Sequence, residues 1–173
     1  MSKVGIFFGP LQGAVNRVAD KVKAELGDEA VMVAVKDAST SDLKKFDNII
    51  FGISTVGKDT WDSDFSSGDW AEFLPEISKV DFSGKIVAIF GLGDHITYSN
   101  HFVDFMGLLG KELLKQNATI IGQVPVDGYE FEESEAIIGG KFIGLPLDED
   151  FEPELTDERL SAWLPQVKSG FGL

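Results

Sequence analysis

Short apolar runs alternate with amphipathic patterns of helical period along nearly the whole chain. The strand-length runs are Val4–Phe8, Ala30–Val35, Asn48–Ile53, Lys85–Phe90 and Ala118–Val124. The helical patterns lie near Gly13–Leu26, Ser41–Lys45, Asp69–Lys79, Ser99–Gln116 and Pro153–Lys168. Runs that are apolar at nearly every position are typical of strands buried on both faces, as in a parallel sheet. The alternation therefore predicts an α/β doubly wound sandwich, in which a five-stranded parallel sheet carries helices on both faces.

The segment from Pro125 to Pro146 departs from this alternation. Gly139 and Gly140 predict a turn within it, and Phe142–Leu145 predicts a short strand. We interpret the segment as an insertion beside the fifth strand. Because the chain of 173 residues otherwise has no repeat, low-complexity stretch or linker, we expect a single domain over residues 1–173.

Composition excludes several kinds of function. The net charge of −14 argues against nucleic acid or an anionic membrane as a partner, because both are polyanions. The acidity serves either solubility or the attraction of basic protein partners, and the charge alone does not separate the two. The absence of cysteine excludes disulfides and thiolate chemistry, and no catalytic triad or metal-ligand spacing is evident. With no membrane-length apolar run and no evident signal peptide, we expect a cytoplasmic protein without catalytic residues or metal.

The turn between the first strand and the first helix has the form of a phosphate cradle without hydroxyl groups. Its sequence is Gly9-Pro10-Leu11-Gln12-Gly13-Ala14-Val15. A helix that begins here would offer main-chain N–H groups and the positive end of its dipole to an anion. Phosphate loops usually add Ser or Thr donors, and this turn has none. The residues of the turn therefore do not identify the ligand by themselves.

Loops that follow the strand ends resemble those of the long-chain flavodoxins, which are electron carriers that hold one FMN at such a crevice. The resemblance rests on Phe8-Gly9 with Gly13, Ser54-Thr55-Val56-Gly57, Phe90-Gly91-Leu92-Gly93-Asp94 with Tyr98, Asp127-Gly128-Tyr129-Glu130-Phe131-Glu132, Gly140-Lys141-Phe142-Ile143-Gly144-Leu145 and Asp148-Glu149-Asp150. These segments cover nearly the whole chain in the family's order. The insertion then corresponds to the family's split fifth strand.

The resemblance implies positions around FMN in each loop. The first loop, from Gly9 to Val15, would wrap the phosphate, although Pro10, Gln12 and Val15 stand where the family has hydroxyl side chains and Ala14 where it has Asn. A hydrogen bond to a charged group contributes about 1.5–3 kcal/mol. Three lost hydroxyls would then cost about 4–9 kcal/mol of the ~12 kcal/mol of nanomolar binding. The resemblance thus implies an FMN site that binds the phosphate group more weakly than the family's usual loop does.

The other loops would contact the flavin ring and the ribityl chain. The remaining positions implied are Ser54, Thr55, Val56 and Gly57 at the flavin edge, Leu92, Gly93 and Asp94 at the pyrimidine edge, Tyr98 stacked on one face, His101 where the family often has Asn, and Asp150 near the ribityl chain. The family often stacks an aromatic residue where this chain has Val56. Trp61 or Phe65 would be a replacement.

The resemblance implies a low-potential one-electron carrier with non-covalently bound FMN, rather than an enzyme that turns over a substrate. It would be a monomer that docks transiently on a reductase and on acceptor enzymes with basic surfaces. The altered first loop keeps an alternative open, a protein of the same fold with weak or lost FMN binding that acts as a binding or regulatory module.

Overall fold

A parallel β-sheet lies at the centre of the fold. The computed structural model describes residues 3–54 and 69–173. The main strands are β1 Val4–Phe8, β2 Ala30–Ala34, β3 Asn48–Ser54, β4 Ile86–Leu92 and β5 Thr119–Ile120. They pair in parallel in the order β2-β1-β3-β4-β5. Ile6 of β1 lies between Met32 of β2 and Ile50 of β3, which is why β1 is apolar along its whole length.

Helices cover both faces of this sheet, as predicted. They are α1 Ala14–Leu26, α2 Thr40–Leu43, α3 Asp69–Ile77, α4 Asp104–Lys115 and α5 Thr156–Phe171. Successive strand residues point to opposite faces, so Ile6 packs with α1 and α5, while Phe7 packs with α2, α3 and α4. Within the described ranges, no helix has both the length and the apolar character needed to cross a membrane.

The fifth strand position is split between two short strands. β5 pairs with the first residues of β4, and β9, Leu145–Leu147, pairs with the last residues of β4. Between them lie β6 Val124–Pro125, β7 Ile137–Ile138 and β8 Lys141–Phe142, which form a small antiparallel sheet in the order β6-β8-β7. The predicted insertion is therefore confirmed.

Two predicted strands near the split have different bounds. The strand predicted over Ala118–Val124 is confined to Thr119–Ile120, because Gly122 takes a positive φ of 79°. There the carbonyl of Gly122 accepts a 2.8 Å hydrogen bond from the buried indole of Trp163. The strand predicted over Phe142–Leu145 is divided between β8 and β9. Gly144 lies at this break, where a Cβ would come within 2.2 Å of the Ile89 carbonyl oxygen.

The helix predicted over Ser99–Gln116 begins later than expected. A 3₁₀ turn spans Ser99–His101, Val103 takes a φ of 48°, and α4 starts only at Asp104. The insertion holds this segment, since the Phe102 N–H donates to the Glu133 carbonyl. The helix predicted over Pro153–Lys168 likewise opens with a 3₁₀ turn, Pro153–Leu155, before α5.

Candidate functional site

A cleft of about 250 Å³ opens at the carboxyl ends of β1, β3 and β4, next to the end of β9. In an open α/β sheet, ligands bind at this end of the strands. The loops after β1 and β4 meet here with Ser54 at the end of β3 and with the acidic segment after β9. The lining residues are Pro10, Ala14, Val15, Ser54, Leu92, Gly93, Asp94, Tyr98, Glu149 and Asp150.

The first loop supplies fewer free donors than its sequence indicates. The Gly9 N–H donates to the Gly52 carbonyl, and Pro10 has no N–H. The Gln12 N–H donates to Oδ1 of Asn16 at 3.0 Å, so this amide is capped by a side chain of the loop's own helix. The first hydrogen bond within α1 runs from the Arg17 N–H to the Gly13 carbonyl.

The amides of Ala14 and Val15 precede that first helical bond, so they lie at the N-terminal end of α1, where the helix dipole is positive. Gly13 stands directly before them with a φ of −129°, which any residue adopts. A Cβ on Gly13 would meet no atom within 4 Å in the described structure. Neither a clash with a described residue nor the backbone conformation therefore explains why position 13 is a glycine. A bare main chain that faces open space at a helix N-terminus fits a bound phosphate group.

The loop after β4 is held in a fixed shape by its own side chains and by β9. Oδ1 of Asp94 accepts the N–H groups of Ile96 and Thr97 at 2.9 and 2.7 Å. The Tyr98 N–H donates to the Asp94 carbonyl, and the Gly93 N–H donates to the Leu147 carbonyl at 2.9 Å. The amide of Gly93 is thus engaged by the sheet edge. Tyr98 is half-buried and presents its ring to the cleft.

Carboxylates dominate the charge of the cleft, with Asp94, Glu149 and Asp150 in its lining. Partial burial raises the pKa of Asp150, and the neighbouring carboxylates of Asp148, Asp94 and Glu149 raise it further. Glu149 accepts a hydrogen bond from the Thr156 hydroxyl and lies 3.9 Å from the guanidinium of Arg17. A ligand in this cleft therefore meets an N-terminal helix end on one side and negative charge on the other.

Next to the lining, His95 and Asp148 form a buried pair that the sequence did not predict. The Asp148 side chain is fully buried and the His95 side chain is only 13% exposed. The His95 Nδ1 and N–H both contact Oδ2 of Asp148. One signal was available, because Asp148 directly follows β9, His95 lies three residues after the end of β4, and these two strands pair in parallel.

His95, Asp148 and Glu152 are residue types that bind metal ions, and their ligand atoms lie within 4.8 Å of one another. Both oxygens of Asp148 already accept N–H donors, and Glu152 is paired with Arg159 at 3.1 Å. A metal ion would have to displace these partners. The trio is therefore built as a hydrogen-bonded network.

Several predicted site residues lie elsewhere. Leu11 and Gln12 are exposed, and Gly9 is buried against Val35, where a Cβ would approach Cγ2 to 2.6 Å. His101 does not line the cleft; it is paired with Asp104 beside a separate depression at the insertion, because the chain turns after Tyr98. Thr55, Val56, Gly57, Trp61 and Phe65 lie outside the described residues.

Comparison with known proteins gives consistent matches over the whole chain. The sequence profile of the flavodoxin family matches residues 6–163. Flavodoxin from Trichodesmium erythraeum is 39% identical over 176 residues, with all of both chains covered. Flavodoxin from Helicobacter pylori is 39% identical over 171 residues, with 99% of each chain covered. Among solved structures, Fusobacterium nucleatum flavodoxin bound to flavin mononucleotide superposes with a TM-score of 0.87 at 29% identity, covering 99% of each chain.

Proposed function

We propose that this chain, which belongs to the flavodoxin family, carries electrons one at a time on a non-covalently bound FMN. The observation that carries the proposal is the cleft at the ends of β1, β3 and β4, which is lined by Ala14 and Val15 of the first turn of α1. When bound, FMN supplies the redox chemistry, because its ring accepts and returns single electrons. The protein supplies binding and electrostatics.

Main-chain groups at the start of α1 would hold the phosphate of FMN. The position of Ala14 and Val15 in the first turn of α1, at the positive end of the helix dipole, supports this assignment. Tyr98 would lie against the flavin ring, and Asp150 would lie toward the ribityl chain. Asn16 caps the Gln12 amide, so phosphate binding would depend on fewer donors than in a hydroxyl-rich loop.

The acidic lining would set the direction in which the protein shifts the flavin's potential. Asp94, Glu149 and Asp150 place negative charge at the cleft, which disfavours a further negative charge on the ring. Full reduction would then require a strong reductant, and the loaded protein would be a low-potential donor. Its partners would be a reductase and acceptor enzymes with basic surfaces, bound transiently by a monomer with a net charge of −14.

Stepwise reduction of the FMN-loaded protein under anaerobic conditions tests this function. A one-electron carrier gives two separable stages in the absorbance titration, each of which consumes one electron equivalent. A single two-electron stage identical to that of free FMN would contradict the proposal. So would a protein that holds no FMN at all, and that result would instead favour a binding or regulatory module.

A further inference from the structure

One buried carboxylate joins two neighbouring loops that line the cleft, those after β4 and β9. Asp148 directly follows β9 and is 1% exposed. Its Oδ1 accepts the N–H groups of Asp150 and Phe151 at 2.9 and 2.8 Å. Its Oδ2 accepts the main-chain N–H of His95 at 3.1 Å and is also hydrogen-bonded to the His95 ring. Two donors therefore come from each loop.

This junction controls residues that line the cleft. His95 directly follows Asp94 in the loop that presents Tyr98, and Asp148 directly precedes Glu149 and Asp150. The hydrogen bond between the His95 ring and Asp148 is the side-chain contact that fastens one loop to the other. A change in the strength of this bond changes how firmly these two loops are held together.

Carboxylates and aromatic rings surround the His95 ring. Oε1 of Glu152 lies 4.0 Å from Nδ1, beyond the contact with Asp148, and Asp94 and Asp150 lie on the two joined loops. The opposing charge is Arg159 of α5, which is already paired with Glu152. The other neighbours are the rings of Phe102 and Phe151, with centroids 6.4 and 6.3 Å from the imidazole. Arg159 also lies over Tyr129, whose pKa burial raises to about 12, so that this phenol stays neutral.

We propose that His95 and Asp148 form a pH-dependent clamp, which holds the loop of Asp94 and Tyr98 to the loop of Glu149 and Asp150 more tightly when His95 is protonated. The neutral imidazole still donates a hydrogen bond, and the added proton converts that bond into an ion pair with a buried carboxylate. The ion-pair contribution is present where His95 carries the proton and is lost as rising pH removes it. His95 and Asp148 are positioning residues. Any effect of the clamp on flavin binding rests on the proposed function.

Amide hydrogen exchange of the protein as purified tests the clamp without reference to flavin affinity. After correction for intrinsic rates, we expect the Asp150 and Phe151 amides to be protected at least about threefold more at pH 6 than at pH 8. His95→Gln keeps a donor that does not titrate, so its protection at these amides should be equal at the two pH values. His101→Gln, at the other histidine of the chain, should keep the wild-type difference.

A wild-type protein without this pH difference, or a His95→Gln variant that retains it, would overturn the clamp. If His95→Gln folds poorly, the NMR titration of the His95 ring in the wild type replaces it. The Asp150 amide shift must then follow the same midpoint, and independent midpoints would overturn the proposal.

A second arm separates the clamp from the proposed function. The ratio of FMN affinity at pH 6 to that at pH 8 should be larger in the wild type than in His95→Gln, and ionisation of the phosphate cancels between the two. Equal ratios in the two proteins would show that the clamp has no effect on FMN affinity. An exchange result as expected with no FMN bound would refute the carrier and leave the clamp standing.

Discussion

Gly9 and Gly13 lie in the same loop, but only one of them is required by the packing of the protein. A Cβ on Gly9 would come within 2.6 Å of a methyl group of the buried Val35. Among the described residues, a Cβ on Gly13 would meet no atom within 4 Å, and the φ of Gly13 lies in a region open to any residue. We therefore expect Gly9 to be needed for the fold and Gly13 to be needed for the ligand.

Replacement of each glycine by alanine should have opposite consequences. Gly13→Ala should change the free energy of unfolding by no more than about 1 kcal/mol, because the reduced freedom of the unfolded chain offsets the poorer N-cap that alanine makes for α1. It should weaken FMN binding about tenfold or more, with a smaller effect on riboflavin, which has no phosphate. Gly9→Ala should lower the free energy of unfolding by about 1–3 kcal/mol through overpacking. Chemical denaturation and fluorescence titration measure both, and equal losses of FMN and riboflavin affinity in Gly13→Ala would contradict the assignment.

The residues of this loop also mark how far sequence reasoning reached. An apolar run followed by glycines and a helical pattern was enough to predict a turn between β1 and α1, and anion binding at this turn stays a prediction. The capping of the Gln12 amide by Asn16 was not predictable, because it needs Gln12 at a φ of 63° and a particular rotamer one helical turn later. The burial of His95 escaped for the same reason, since its partner lies more than fifty residues away in sequence.

At the scale of elements, α4 and the insertion pack with little room between them. A Cβ on Gly107 would lie 2.3 Å from the carbonyl oxygen of Glu135, which is main chain and cannot turn aside. A Cβ on Gly110, one turn later, would meet the Ile143 side chain at 2.9 Å. The insertion therefore packs directly against α4.

The same substitution, glycine to alanine, should lower the free energy of unfolding by different amounts at the two positions on this helix. Gly107→Ala should lower the free energy of unfolding by about 2–3 kcal/mol, in spite of the better helix propensity of alanine. Gly110→Ala should cost only about 1 kcal/mol, because a side chain yields more easily than a carbonyl. Urea denaturation compares the two, and a Gly107→Ala variant as stable as Gly110→Ala would refute the close main-chain contact.

Tyr129 links the insertion to β9, where its hydroxyl donates to the Pro146 carbonyl at 2.8 Å. Burial raises its pKa to about 12, against an unfolded value near 10. The folded state therefore keeps the proton that the unfolded state loses, and stability should fall as pH rises from about 10 to 12. Tyr129→Phe should be about 1 kcal/mol less stable at pH 7 and should show a flatter decline in this range. Denaturation at several alkaline pH values measures both, and equal slopes would contradict the burial of this phenol.

The elements themselves were largely predictable, and the exceptions have a common cause. Strands β1 to β4 lie within a residue or two of their apolar runs; β1, β3 and β4 are buried on both faces, whereas the edge strand β2 is only partly buried. The short β5 and the late start of α4 were missed, since each is set by a contact from a distant part of the chain. Trp163 of α5 determines the turn at Gly122, and Glu133 of the insertion holds Phe102 before α4 begins.

For the whole molecule, the net charge of −14 is the property most open to measurement. Electron transfer from the FMN-loaded, reduced protein to a basic c-type cytochrome should fall at least about tenfold between roughly 0.01 and 0.5 M salt. A small neutral quinone serves as the control acceptor and should show little dependence on salt. Equal salt dependence for the two acceptors would mean that surface charge does not guide docking.

The binding of FMN and riboflavin to the flavin-free protein tests the central claim most directly. Titration followed by flavin fluorescence should give one FMN per chain, with a Kd in the micromolar range or below. Riboflavin should bind at least about tenfold more weakly, because it cannot use the helix end at Ala14 and Val15. Absence of saturable FMN binding would contradict the assignment of the cleft, and equal affinities for the two flavins would contradict the role given to the start of α1.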